Sequence, residues 1–219
     1  MNENNLTRRE FLAASGLMLA GTALATTGCA PQSASSTPTT PVETPSFTFE
    51  TGNTMNERIL VAYATRAGST VGVAEAIGQT LNERGYAVDV KPIKDNPDLG
   101  IYQKVILGSA VNGAQWLPEA VEYVQNHQET LKQVPVALFC VHIMNMGDSE
   151  SSKKNRHAYL NVVRPLVNPV AEAYFAGMGM NPADTSAFVR WIYRTFKIGG
   201  EGDCRDWDAI RGWAKTVTL

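Results

Sequence analysis

The feature that most constrains this chain is an alternation. Short, nearly continuous apolar runs at 59–64, 86–92, 104–110, 134–143 and 170–177 are separated by stretches with helical spacing. After the first run, Val73, Ala74, Ile77 and Leu81 share one helical face, and Gly85 stands where a helix-terminating glycine belongs. Leu117, Ala120, Val121, Val124 and Leu131 form a second stripe, opened by Pro118 and Glu119. A polar loop over 145–156 is expected to lead into a helix over 157–166. A last helix is expected from Asp206, burying Trp207, Ile210, Trp213, Ala214 and Val217. The runs at 104–110 and 134–143, without polar alternation, read as strands covered on both faces, whereas at 86–92 Val88 and Val90 alternate against polar neighbours; strands of both kinds are expected. Five of them interleaved with helices predict an α/β fold: a doubly wound, five-stranded parallel sheet, order 2-1-3-4-5, with helices on both faces.

A sheet wound this way places its ligand past the carboxyl ends of the strands, where the winding reverses. Three loops converge there. The first is Thr65, Arg66, Ala67, Gly68, Ser69 and Thr70. A strand that breaks into a short glycine- and hydroxyl-containing loop before a helix offers unpaired N–H groups, the positive end of a helix dipole and hydroxyl donors to an anion. The loop lacks both the Gly-Lys-Ser/Thr of a triphosphate loop and the three spaced glycines of a dinucleotide fingerprint. Taken alone, it reads equally as an ordinary strand-to-helix turn. The second loop holds Ser109, Ala110, Val111, Asn112, Gly113 and Ala114, followed by Gln115 and Trp116. The third holds Val141, His142, Ile143, Met144, Asn145, Met146 and Gly147.

The remainder of the 219-residue chain lies mostly before the first strand. Thr7-Arg8-Arg9-Glu10-Phe11-Leu12 is a twin-arginine export pattern, and an apolar stretch follows from Phe11 to Ala25. Ala23-Leu24-Ala25 fits a cleavage site. Thr27-Gly28-Cys29-Ala30 resembles a lipoprotein box, with Thr26 where Leu is usual, which makes Cys29 a candidate for lipidation. Residues 1–29 are thus expected to be a signal. Residues 30–56, rich in Ser, Thr and Pro, are expected to be a disordered tether, and 57–219 the folded domain. A net charge of −2 gives no basic excess for nucleic acid. Three cysteines, at 29, 140 and 204, without a Cys-x-x-Cys, make neither a disulfide scaffold nor a zinc module.

Over about residues 58–217 the chain resembles the flavodoxins, and within them the menaquinone-dependent protoporphyrinogen oxidase family. The residues that carry this are Tyr63-Ala64-Thr65-Arg66-x-Gly68, Gly108-Ser109-Ala110, Trp191-x-Tyr193-Arg194-x-Phe196, Gly199-Gly200-Glu201-x-Asp203 and Asp206-Trp207. Ala67 stands where the flavodoxin phosphate loop has a Thr, one hydroxyl fewer toward the phosphate. The resemblance implies non-covalent FMN. Its phosphate would sit on residues 65–70 and its ring between the loops at 109–114 and 141–147. It also implies a quinone or another redox protein as electron partner, and it requires no catalytic acid or base. Protoporphyrinogen is handled inside the cell, so an exported relative is expected to serve another partner.

Several residues carry two readings. Trp116 either stacks on the ring or anchors a helix. His142 either faces the flavin or is a satisfied structural histidine. Cys140 reads as a small buried residue, with a bridge to Cys204 as the alternative in an oxidising compartment. Around residues 186–197, Arg190, Arg194 and Lys197 share one side of an aromatic helix, which suits a lipid or quinone surface or simply a core-covering helix. Two functions follow: an exported FMN oxidoreductase or electron-transfer protein, membrane-associated through Cys29 or that helix, or a non-catalytic flavodoxin-fold protein or FMN carrier.

Overall fold

The computed structural model describes residues 42–50, 57–179, 191 and 202–219. In chain order the elements are β1 (Phe47–Phe49), β2 (Arg58–Ala64), α1 (Ser69–Glu83), β3 (Ala87–Pro92) and a 3-10 turn (Ile93–Asp95). Then come β4 (Lys104–Asn112), β5 (Gln115–Trp116), α2 (Pro118–Asn126), α3 (Gln128–Leu131) and β6 (Val136–His142). The last are α4 (Glu150–Ala158), α5 (Arg164–Val167), β7 (Ala171–Ala176) and α6 (Trp207–Thr216).

The expected apolar runs form the expected parallel strands. β3, β2, β4, β6 and β7 lie side by side in that order, which is 2-1-3-4-5 in chain order. Alternate residues of each strand feed two separate cores. Ile59, Val61, Tyr63, Ile106, Phe139 and Phe175 face α1 and α6, whereas Leu60, Ala62, Leu107 and Leu138 face α2, α3 and α5. The layers press closely at Gly108, where a Cβ would lie 1.9 Å from Phe139 Cζ. Gly85, at φ 95°, closes α1. Its N–H bonds Asn82 O at 2.8 Å, and Tyr86 N–H returns to Leu81 O at 3.3 Å.

Four expectations need correction. The sheet has more than five strands, and the folded domain begins before residue 57. β1 pairs antiparallel with β3 on the outer edge, with Phe47 opposite Val90, Thr48 opposite Asp89 and Phe49 opposite Val88. The reason is local: within the Ser/Thr/Pro-rich stretch, Phe47-Thr48-Phe49 alternates with period two and fits a half-covered edge. Asp89 holds it there. Although buried, its carboxylate accepts from Thr48 Oγ1, Arg58 Nη1 and Tyr102 Oη. Burial pushes that carboxyl up, but these hydrogen bonds outweigh burial and hold it below the usual carboxylate range.

The helix expected over 157–166 is displaced. Most of the polar loop is itself α4, capped by Ser149 Oγ, which accepts from Ser152 N–H, and braced by a Lys153–Glu150 pair. None of its residues is buried, so hydrophobic spacing gives no sign of it. The strand expected to end at 110 runs on to Asn112 and folds back as β5. The turn residues Gly113 and Ala114 both have positive φ, 59° and 63°, as a two-residue type I′ hairpin requires.

Residues 1–41 and 51–56, with the expected export signal, cleavage site and Cys29, lie outside the described residues. So does most of the aromatic helix expected near 186–197, of which Trp191 is 59% exposed. The chain leaves the sheet after β7 and returns through an antiparallel bridge between Met178 and Asp203. Gly179 N–H bonds Gly202 O at 2.8 Å, and Cys204 N–H bonds Gly177 O at 3.2 Å. Among the described residues no helix is long and apolar enough to cross a membrane.

Candidate functional site

The winding reverses between β2 and β4, and the three loops do meet past their carboxyl ends. The first loop is built by Gly68, whose φ of 84° lets the chain turn straight from β2 into α1. Gly68 N–H bonds Thr65 Oγ1 at 3.0 Å, so Thr65 shapes the loop from within. Arg66 and Ala67 are exposed, whereas Ser69 and Thr70 are buried. The N-terminus of α1 has no side-chain cap and no acidic residue in its first turn. Among the described residues, the other helices longer than one turn carry a first-turn acid, Glu119, Glu150 or Asp208. Thr70 Oγ1 is buried with no hydrogen-bond partner. Buried hydroxyls are rarely left so, and here an anion at the helix end would supply the acceptor.

Two neighbours that sequence spacing does not reveal press on this loop. A Cβ at Gly177 would lie 3.1 Å from Ser69 Oγ and 2.8 Å from Val141 Cγ1, so only glycine lets the end of β7 sit here. A Cβ at Gly72 would lie 2.9 Å from Arg205 Nη1 and 3.3 Å from Trp207 Cη2, which brings the Asp206-Trp207 tail against the first turns of α1. Asp206 caps α6 by accepting from Ala209 N–H, and Arg205 stacks on Trp207 while paired with Asp203.

The second and third loops enclose a cleft of about 180 Å³. Its walls are Val111, Asn112, Gly113 and Ala114 on one side and His142, Ile143, Met144 and Asn145 on the other, with Tyr159 behind. Ala110 and Val141, expected in the site, are packing residues beneath it, and Met146 and Gly147 lie beyond the cleft lining. Ser109, also expected there, points into the fold, where its Oγ accepts from Leu117 N–H and donates to Ala110 O. α4 staples the third loop in place. Arg156 Nη1 donates to Asn145 O and Gly147 O, and Tyr159 Oη accepts from Asn145 Nδ2.

His142 lies at the base of this cleft and is 4% exposed. Its Nδ1 meets the carbonyl of Met144 at 2.7 Å. A carbonyl only accepts, so Nδ1 carries the proton and Nε2 is a bare acceptor. Nε2 is buried with no partner. Burial pushes the imidazole down to about 4, aided by nearby Arg156 and opposed by the Met144 bond. Trp116 is no stacking residue. It is buried under α2, and its indole N–H donates to Cys140 Sγ at 3.1 Å. Burial pushes the Cys140 thiol up to about 12, and no bridge joins it to Cys204.

Residues 60–182 match the flavodoxin domain. The chain belongs to this family. The flavodoxin domain carries FMN, and the residues present fit it: a helix N-terminus with an unpartnered buried hydroxyl for the phosphate, and beside it a cleft between two loops for the ring. Among curated proteins the chain is 24% identical over 176 residues to protoporphyrinogen IX dehydrogenase [quinone] of Escherichia coli K12, covering 73% of this chain and 94% of that protein. Among solved structures it is similar to rubredoxin oxygen:oxidoreductase of Desulfovibrio gigas, with 13% identity and a TM-score of 0.46. That match spans 73% of this chain but only 35% of the other. Oxidised flavodoxin 1 of Bacillus cereus gives 14% identity and a TM-score of 0.44, covering 66% of this chain and all of that one.

Proposed function

We propose that this chain is an exported, membrane-tethered FMN oxidoreductase that exchanges electrons with a quinone or another redox partner. The observation that carries the reading is the composition of the cleft: among the described residues its lining holds no carboxylate and no cationic side chain. His142 is neutral and its one N–H is committed to Met144. The described lining offers no charged acid or base for hydrolysis or group transfer. Bound FMN supplies hydride or single-electron chemistry. The protein's part is to hold the phosphate at α1, to place the ring between the Asn112-Gly113 turn and the stapled third loop, and to exclude water with Met144 and Tyr159.

The quinone is supported by the name of the E. coli relative, protoporphyrinogen IX dehydrogenase [quinone]. Export is supported by Arg8-Arg9 ahead of an apolar stretch, and tethering by Gly28-Cys29 ahead of a Ser/Thr/Pro-rich segment. An enzyme outside the cytoplasm meets reductants other than protoporphyrinogen, so this reading keeps the quinone and leaves that substrate aside. The experiment is anaerobic reduction of the FMN-loaded full-length protein, followed by mixing with a soluble naphthoquinone. The bleached flavin band should recover in step with quinone reduction. Recovery no faster than in buffer would remove quinone from the reading and favour an FMN carrier. Cys29→Ala should shift the protein from the membrane to the soluble fraction, and its retention in membranes would refute the lipid anchor.

A further inference from the structure

The segment before β2 reaches the cofactor site. β1 lies along the outer edge of β3, with Phe49 packed over Gly78 of α1, where a Cβ would lie 3.2 Å from its ring. Asn82 Nδ2 holds the carbonyls of Phe49 and Glu50. Toward the N-terminus the chain crosses the carboxyl end of β2, where Tyr63 Oη donates to Pro45 O at 2.7 Å. It then meets the first loop: Val42 Cγ1 lies 3.5 Å from where a Cβ of Gly68 would stand. Between these two contacts sits Thr44, whose Oγ1 is buried with no partner.

Only three buried side-chain polar atoms among the described residues lack a partner: Thr44 Oγ1, Thr70 Oγ1 and His142 Nε2. Thr70 belongs to the phosphate loop and His142 to the ring cleft. Thr44 is two residues from Val42, which touches that loop at Gly68. A buried hydroxyl without an acceptor opposes folding unless something else completes it. The loop is also one hydroxyl short, because Ala67 presents only a methyl group.

We propose that residues 42–45 are a strap that completes the FMN phosphate site, with Thr44 Oγ1 donating to a phosphate oxygen in place of the hydroxyl that position 67 lacks. The proposal rests on the reading of residues 65–70 as the phosphate loop. The site is thus assembled from two segments, one before the first parallel strand and one after it. Tyr63 and Gly68 position the strap by holding Pro45 and receiving Val42.

The test compares FMN with riboflavin, which has the same ring and no phosphate, by fluorescence quenching on the full-length apoprotein. Thr44→Val should weaken FMN roughly tenfold, as expected for loss of one hydrogen bond to a charged group, and leave riboflavin binding unchanged. Thr44→Ser should restore FMN affinity. Tyr63→Phe, which frees Pro45, should narrow the FMN-over-riboflavin preference without abolishing ring binding. An unchanged preference in Thr44→Val would overturn the strap while leaving the phosphate loop intact. A wild-type protein that does not prefer FMN to riboflavin would overturn the phosphate-loop reading and the strap with it.

Discussion

His142 gives the fold a pH dependence that can be worked out from its surroundings. In an unfolded chain an imidazole titrates near 6.5, about the value of an exposed histidine. In the fold burial lowers it to about 4. Between these values the unfolded chain binds a proton that the native protein does not, so stability falls as the pH falls through that window. At pH 5 the imbalance amounts to about 2 kcal/mol relative to pH 8, and below pH 4 it levels off at about 3 kcal/mol. Asp89 and Glu172, whose carboxyls are also held low, lose their contributions in acid too, so the wild-type profile alone does not isolate the imidazole. His142→Asn does. It keeps an N–H donor near the Nδ1 position for Met144 O and has no proton to gain in this range. Urea unfolding of both apoproteins at pH 8, 6 and 5 should show the variant losing about 2 kcal/mol less than the wild type over that span. Parallel losses would mean that the imidazole is not held neutral by burial, and the assignment of Nε2 as a bare acceptor would fail with it.

Thr70→Val should weaken FMN by ten- to a hundredfold in a titration, yet leave the apoprotein at least as stable in a thermal melt, because the hydroxyl it removes has no partner there. Gly108→Ala forces a methyl into the Phe139 ring and should cost about 3 kcal/mol or more, read as a lower midpoint in urea with the m-value unchanged. Ala114→Gly relieves a positive φ in the β4–β5 turn and should raise apoprotein stability by up to about 1 kcal/mol. Arg156→Met unpins the third loop from α4 and should weaken FMN and riboflavin alike, which separates it from changes at the phosphate loop.

Much of this was legible in the sequence for a physical reason. Central parallel strands are covered on both faces, so Ile59, Val61, Ile106 and Leu138 announce themselves as uninterrupted apolar runs, and their alternation with helical stripes leaves few topologies. The first loop was legible because its chemistry is local: strand, glycine, hydroxyls and helix follow one another within a dozen residues. What escaped was either polar or distant. α4 buries nothing, so periodicity is silent on it, although Ser149 followed by Glu150 is a cap signal that marks its start. β1 is three residues long and sits in a stretch whose composition argues for disorder, which outweighed the Phe-Thr-Phe alternation. Trp116 and Cys140 are 24 residues apart, and nothing in their spacing tells that the indole bonds the thiol. Gly177 against Ser69 is likewise a tertiary contact, visible only once β7 is laid beside β6.

The ladder between Gly179 and Gly202 has an evolutionary meaning. The chain departs and returns within one 2.8 Å hydrogen bond, and every described strand of the sheet lies before residue 180. A segment hung on such a stem can lengthen, shrink or be exchanged without any strand losing its register. The tail that follows still arrives in place to lay Trp207 against Gly72 and α6 against the sheet. The frame that builds the candidate site therefore keeps its strand register whatever changes in sequence fall between Gly179 and Gly202.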